Sequence, residues 1–160
     1  MTNRTEFLKG VGIFKGLDAE SISKIAALME EIEYDTGGPV FEEKGSADAL
    51  YVILDGGVDI FVKGGDGKDV LIGRLIREEF FGQLSLIGNF EHLVKAVSQQ
   101  NTTLLKLPRS KFVEMNKTNP QLSLRIVLNI FTDFLKSVQE NRDAFKYIID
   151  YYIQSKEGSR

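Results

Sequence analysis

The chain has 160 residues, a net charge of −3, 42% hydrophobic and 27% charged residues and no cysteine, the composition of one ordinary globular domain rather than a disordered or disulfide-stapled chain. Disulfides, thiolate metal sites and a cysteine nucleophile are excluded, and the single histidine, His92, excludes a histidine-rich metal cluster. Scattered basic residues give no footprint for wrapping a nucleic acid, and no apolar run nears the ~20 residues that cross a bilayer. The opening Met1-Thr2-Asn3-Arg4-Thr5-Glu6 lacks the apolar segment of a signal peptide. The expected setting is therefore cytoplasmic, with no membrane and no direct nucleic-acid partner.

Phe7, Val11, Phe14 and Leu17 fall at helical intervals interrupted by Gly10, Gly12 and Gly16. Asp18 is placed as an N-cap, and Ile22, Ile25, Ala26, Leu28 and Met29 predict a second helix from Ala19 to Glu31. From Glu33 the period changes to that of strands. Val40-Phe41-Glu42 and Leu50 to Leu54 are short apolar runs between the turn signals Gly37-Gly38-Pro39 and Lys44-Gly45-Ser46. Gly56-Gly57, between Leu54 and the alternating Val58 to Val62, reads as a hairpin turn. Gly64-Gly65-Asp66-Gly67-Lys68 lacks the spacing of a nucleotide-phosphate loop and reads as another turn before Val70-Leu71-Ile72. Val94 to Val97 and Thr102 to Leu107 predict two further strands, and this many short strands argue for a barrel or jelly roll. The adjacent acidic pairs Glu30-Glu31, Glu42-Glu43 and Glu78-Glu79 read as solvated faces.

Helical spacing returns at Lys111 to Met115, stops at Asn119-Pro120, and resumes in a long helix from Leu122 to Tyr152. Val127, Phe131, Phe134, Val138, Asn141, Phe145, Ile148 and Tyr152 alternate in steps of four and three, a heptad seam with one polar member, Asn141. Two readings stay open. The seam pairs with a second copy in a homodimer, or it packs on its own barrel through Leu124, Leu128 and Phe131, with Phe134 able to fill the barrel as a lid. The expected organisation is one domain over 1–160, with N-terminal helices in 1–32, a β-barrel in 33–109 and C-terminal helices in 110–160.

This order, with these residues, resembles the cyclic nucleotide-binding domain family. Phe14-Lys15-Gly16-Leu17 is similar to its opening helical turn, Gly45 to Val58 to its glycine-bounded hairpin, and Phe80-Phe81-Gly82-Gln83-Leu84-Ser85-Leu86 to the start of its phosphate-binding cassette. The resemblance implies a mainly β fold with flanking helices, a double-stranded β-helix or jelly-roll barrel, and a cyclic nucleotide, cAMP or cGMP, as ligand. It also implies a ligand pocket on Phe81, Gly82, Gln83, Leu84, Ser85, His92, Leu93 and Val94. A cyclic phosphate is a desolvated anion, which such a cassette meets with an arginine and with backbone N–H groups at a short helix.

The chain departs from that pattern at several positions. Gln83 replaces a ribose-binding glutamate, His92 falls where the arginine is expected, and Glu78 replaces a glycine before the cassette. Lys95, the nearest cation, reads as a strand surface residue. A largely neutral imidazole cannot reproduce a guanidinium's bidentate grip, so affinity for cAMP or cGMP should be reduced. The function expected is a non-enzymatic sensor whose barrel ligand is coupled to the terminal helix, because no nucleophile has a positioned base. The alternative is a ligand-free dimer or scaffold with a vestigial pocket that recruits a protein partner.

Overall fold

A computed structural model describes residues 3–142 and Lys146. Helix α1 (Arg4–Lys9) and a 3-10 turn (Gly12–Phe14) lead into α2 (Ala19–Leu28). Asp18 caps α2 as expected, its carboxylate accepting a hydrogen bond from the Ser21 backbone N–H at 2.7 Å. The helix ends at Leu28 rather than Glu31, because Glu30 and Glu31 already belong to strand β1 (Glu30–Tyr34). Arg4 fixes the change of direction by donating to the Met29 carbonyl at 3.1 Å and pairing with Glu31 at 3.0 Å. Here long-range strand pairing overrides local helix propensity.

The strands that follow are β2 (Pro39–Phe41), β3 (Ser46–Ala47), β4 (Ala49–Asp55), β5 (Gly57–Lys63), β6 (Asp69–Ile76), β7 (Phe80–Phe81), β8 (Phe90–Glu91), β9 (Lys95–Ser98) and β10 (Thr102–Pro108). Their pairing is nested: β5 with β6, β4 with β7, β3 with β8, β2 with β9 and β1 with β10, all antiparallel. The chain thus runs as one long two-stranded ribbon, reversed at the Gly64–Lys68 turn and coiled on itself. Coiling adds the pairs β4–β10 and β5–β9, giving sheets ordered β1-β10-β4-β7 and β2-β9-β5-β6. This is the mainly β architecture with flanking helices that the sequence leads one to expect.

One expected hairpin is absent. Gly56-Gly57 does not join paired strands, since β4 and β5 lie in different sheets. The dipeptide is a corner at which the ribbon passes from one sheet to the other. Gly56 has φ +86°, and a Cβ there would lie 2.5 Å from Thr102 Oγ1 and 2.7 Å from the Asn101 carbonyl. Thr102 seals the corner, its hydroxyl donating to the Gly57 carbonyl at 2.9 Å. Only glycine fits where two backbones approach so closely.

After β10 come α3 (Arg109–Thr118) and α4 (Pro120–Glu140), the latter capped by Asn119. Leu122, Ser123, Ile126 and Ile130 are the buried face of α4, in one cluster with Phe14, Ile25, Leu50 and Leu107. Asn129 donates to the Ile13 and Lys15 carbonyls at 2.9 and 3.0 Å, tying α4 to the N-terminal turn. Packing on the barrel therefore does not use Leu124, Leu128 and Phe131, which are 58%, 50% and 55% exposed. Of the expected seam, Val127 and Val138 are half-buried, Phe131, Phe134 and Asn141 are exposed, and Phe145, Ile148 and Tyr152 lie outside the described residues. Asn141 closes the helix, its backbone N–H bonded to the Ser137 carbonyl.

The corner generates a direct test. Gly56→Ala should cost about 2–4 kcal/mol, combining a left-handed backbone with an overpacked methyl, read as a fall in the urea midpoint at unchanged slope. Gly65→Ala, where a Cβ meets nothing within 4 Å, should stay within about 0.5 kcal/mol of the parent.

Candidate functional site

The cassette begins where β7 ends. Gly82 has φ +74°, and a Cβ at this position would lie 2.6 Å from the Ala49 carbonyl and 3.3 Å from the Tyr51 ring. Gly82 lets the segment press onto β4 and turn at once into the 3-10 stretch Gln83–Leu86. Gln83 is half-buried and Leu84 exposed, while Ser85 is buried with no hydrogen-bond partner for its hydroxyl among the described residues. Leu86 is buried in the helical cluster beside Leu122 and Ile126. Glu78 adopts φ +73°, a left-handed geometry costly for any residue with a Cβ. That gives a physical reason for the glycine that the resemblance leads one to expect there.

Between the sheets, four rings fill the interior that the cassette faces. Phe41 of β2 stacks on His92 with centroids 3.5 Å apart and planes 2° apart. Phe41 also meets Tyr51 at 6.0 Å and Phe81 at 5.8 Å, and Tyr51 stacks on Phe81 at 5.2 Å. His92 is held at both backbone atoms, donating to the Gly45 carbonyl and accepting from Lys44 N–H, each at 2.8 Å. Burial against Phe41 pushes the imidazole below its ordinary range, and the Asp48 carboxylate only partly offsets this. The ring is thus an apolar-packed group whose charged form is disfavoured. Of the pocket residues the resemblance implies, Phe81 and His92 both meet the Phe41 ring, Gly82 lies against Tyr51, and Val94 is half-buried. Leu93 is not with them: it is 79% exposed and points away from the cluster.

The charges divide into two sets. Lys95 lies on the outer face of β9, paired with Asp69 at 3.2 Å and Glu42 at 3.7 Å, the surface role its sequence context suggests. Lys106 is different. It follows Leu104 by two residues in β10 and stands opposite Tyr51 of β4, on the barrel-facing side of the sheet. Its ammonium lies 5.9 Å from the Tyr51 ring centroid and 3.9 Å from Asp48. Burial, and secondarily Asp48, raises the phenols of both Tyr34 and Tyr51 above their usual value. Asp48 thus pairs loosely with Lys106 and is near enough to Tyr34, Tyr51 and His92 to bias their ionisation. None of Phe41, Asp48, Tyr51 and Lys106 stands out in the sequence as a site residue. The only signal was the alternation that puts Tyr51 and Lys106 on the same face as Ile53 and Leu104.

The depressed His92 value carries a pH consequence. Its neutral form contributes stability that is present above the unfolded value of about 6.5 and is lost as pH falls towards the lower folded value. The urea stability of the parent should fall more between pH 7.5 and pH 5.0 than that of His92→Phe, which keeps the stack without the titration. Equal falls would show that the imidazole ionises freely in the folded protein.

Comparison with known proteins agrees with this architecture. Residues 31–119 match the cyclic nucleotide-binding domain family. The chain is 28% identical over 113 residues to the cyclic AMP receptor protein of Thermus thermophilus, covering 71% of this chain and 52% of that protein. It is 24% identical over 122 residues to the CRP-like cAMP-activated global transcriptional regulator of Mycobacterium tuberculosis, covering 76% and 54%. The chain thus spans about half the length of the curated relatives it matches. In structure it is similar to the N-terminal domain of a transcriptional regulator from Streptomyces coelicolor, with TM-score 0.75, 22% identity and coverage of 82% of this chain and 94% of that one. With the nested strands, the cassette after β7 and the family match over both, the chain belongs to the cyclic nucleotide-binding domain family.

Proposed function

We propose that the chain is a ligand-responsive regulatory module in which a cyclic nucleotide entering the barrel repositions the terminal helix of a homodimer. The observation that carries this reading is the split location of the cassette. Gly82 presses on the barrel-facing residue Tyr51, while Leu86, four residues on, is buried in the helical cluster that also holds the inner face of α4. The 3-10 stretch Gln83–Leu86 also contacts both β4 and α3. A ligand that displaces the cassette in the barrel therefore acts on the layer carrying α4, and differential contact with two arrangements of that layer supplies the coupling. Asn129 and the buried face Leu122, Ile126 and Ile130 anchor α4 to its own subunit. The opposite face, Leu124, Leu128, Phe131, Leu135 and Val138 in steps of four and three, is left to meet the same stripe of a second copy.

A ligand-free scaffold is the second reading, favoured by one observation: Phe41, Tyr51, Phe81 and His92 occupy the space between the sheets with their own rings. The two readings part in a thermal unfolding series with millimolar cAMP and cGMP. Saturation at a hundred times the dissociation constant adds about 2.7 kcal/mol, a shift of several degrees. No shift with either nucleotide favours the scaffold. Leu128→Lys with Phe131→Lys should halve the mass seen by sedimentation while leaving the fold intact, since both residues are half exposed in one chain. An unchanged mass would remove this face from the dimer.

A further inference from the structure

The mouth of the barrel holds a cation for which the cassette pattern gives no role. Lys106 is an inward lysine among leucines: Leu104, Leu105 and Leu107 are all fully buried, and its own side chain is 22% exposed. An ammonium kept in so apolar a setting needs a counter-charge. What it has is weak, a contact at 3.9 Å to Asp48, whose own side chain is 63% exposed. The neighbouring Tyr51 is 4% exposed as a residue, and its hydroxyl is not one of the fully enclosed, unpartnered polar atoms among the described residues. The Tyr51 ring is also the surface on which Gly82 rests. A loosely held cation and the first glycine of the cassette thus both lie against the Tyr51 ring, on the barrel-facing side of the sheet. Lys95 cannot serve in its place, because it lies on the outer face and is engaged by two carboxylates.

We propose that Lys106 and the Tyr51 hydroxyl are the anion-binding pair of this barrel and take the singly charged phosphate of a cyclic nucleotide. The inference rests on the proposed function in taking that ligand to enter the barrel. Asp48 is the resident counter-ion, competing with the ligand for Lys106 and swinging into solvent when the phosphate arrives. Lysine supplies a point charge rather than a bidentate fork, so the phenol adds the second donor.

The test is titration calorimetry with cAMP, adenosine and inorganic phosphate at constant ionic strength, on the parent, Lys106→Met, Lys106→Arg, Tyr51→Phe, Asp48→Asn and Lys95→Met. Lys106→Met should weaken cAMP binding about ten- to a hundredfold, the loss expected for one charged hydrogen bond. Lys106→Arg should restore most of it, and Lys95→Met should change nothing. Asp48→Asn should tighten binding severalfold, a gain that a merely structural lysine–aspartate contact does not predict. Adenosine, lacking the phosphate, should not distinguish Lys106→Met from the parent. If a folded Lys106→Met binds cAMP as tightly as the parent, the pair is overturned and the nucleotide reading stands. If the parent binds inorganic phosphate through Lys106 but no cyclic nucleotide, the nucleotide reading falls and the pair stands. If the parent binds neither probe, both fall.

Discussion

Strand β4 is buried on both faces, and the rest of the molecule is arranged around that fact. Its residues Ala49 to Ile53 are all buried, but they belong to two different cores. Leu50 and Val52 point to the helices and join Phe14, Ile25 and Ile126. Ala49, Tyr51 and Ile53 point between the sheets and join Phe81, Ala96 and Leu104. Its neighbour β10 is divided the same way, with Leu105 and Leu107 on the helical side and Leu104 on the other. A strand with period-two alternation normally buries one face and wets the other. Here both faces are apolar, so β4 and β10 form the partition between a helical layer and a barrel interior.

A shared partition makes the two cores mechanically dependent. Interiors are close-packed, so a side chain displaced on one face moves backbone that also carries the other face. The cassette straddles the partition, with Phe81 in the barrel core and Leu86 in the helical core. The helical core in turn fixes α4 by its Leu122, Ile126 and Ile130 face, not by the residues that form its exposed stripe. The barrel interior and the exposed stripe of α4 are thereby kept on opposite sides of one sheet. Neither has to be built from residues that also serve the other.

Much of this was legible in the sequence because it is local. Asp18 caps its helix by a bond to the residue three positions on, and the short apolar runs Leu50 to Leu54 and Thr102 to Leu107 mark strands whatever they pair with. What was not legible depends on distant partners. Gly56-Gly57 has the composition of a hairpin turn, but its meaning is set by Thr102, far along the chain, which leaves no room for a side chain. Glu30 and Glu31 extend a helical pattern, but pairing with Lys106 and Leu105 draws them into a strand. The phase of α4 is ambiguous for the same reason. Leu122–Ile126–Ile130 and Leu124–Leu128–Phe131 are both apolar stripes, and packing against distant residues such as Phe14 and Leu50, with the Asn129 bonds to Ile13 and Lys15, sets which one faces inward.

The candidate site was half legible, and the missing half is electrostatic. A resemblance to a cassette directs attention to the segment from Phe81 to Val94, where cations are sparse and burial disfavours the charged form of His92, which stacks on Phe41. In sequence, Lys106 is one polar residue in a leucine-rich strand, which reads as a solvent-facing position. The pairing of β10 with β4 turns it inward, opposite Tyr51. Charge complementarity belongs to the cavity rather than to any segment lining it. An anion entering between the sheets meets whatever cation the topology has placed there, whichever strand supplies it. The cost of keeping an ammonium in this setting is met at rest by Asp48, and a contact as long and as exposed as theirs is easily exchanged. Its weakness is what suits the pair to ligand exchange: a tight, buried ion pair would make the lysine structural and leave an incoming phosphate nothing to displace.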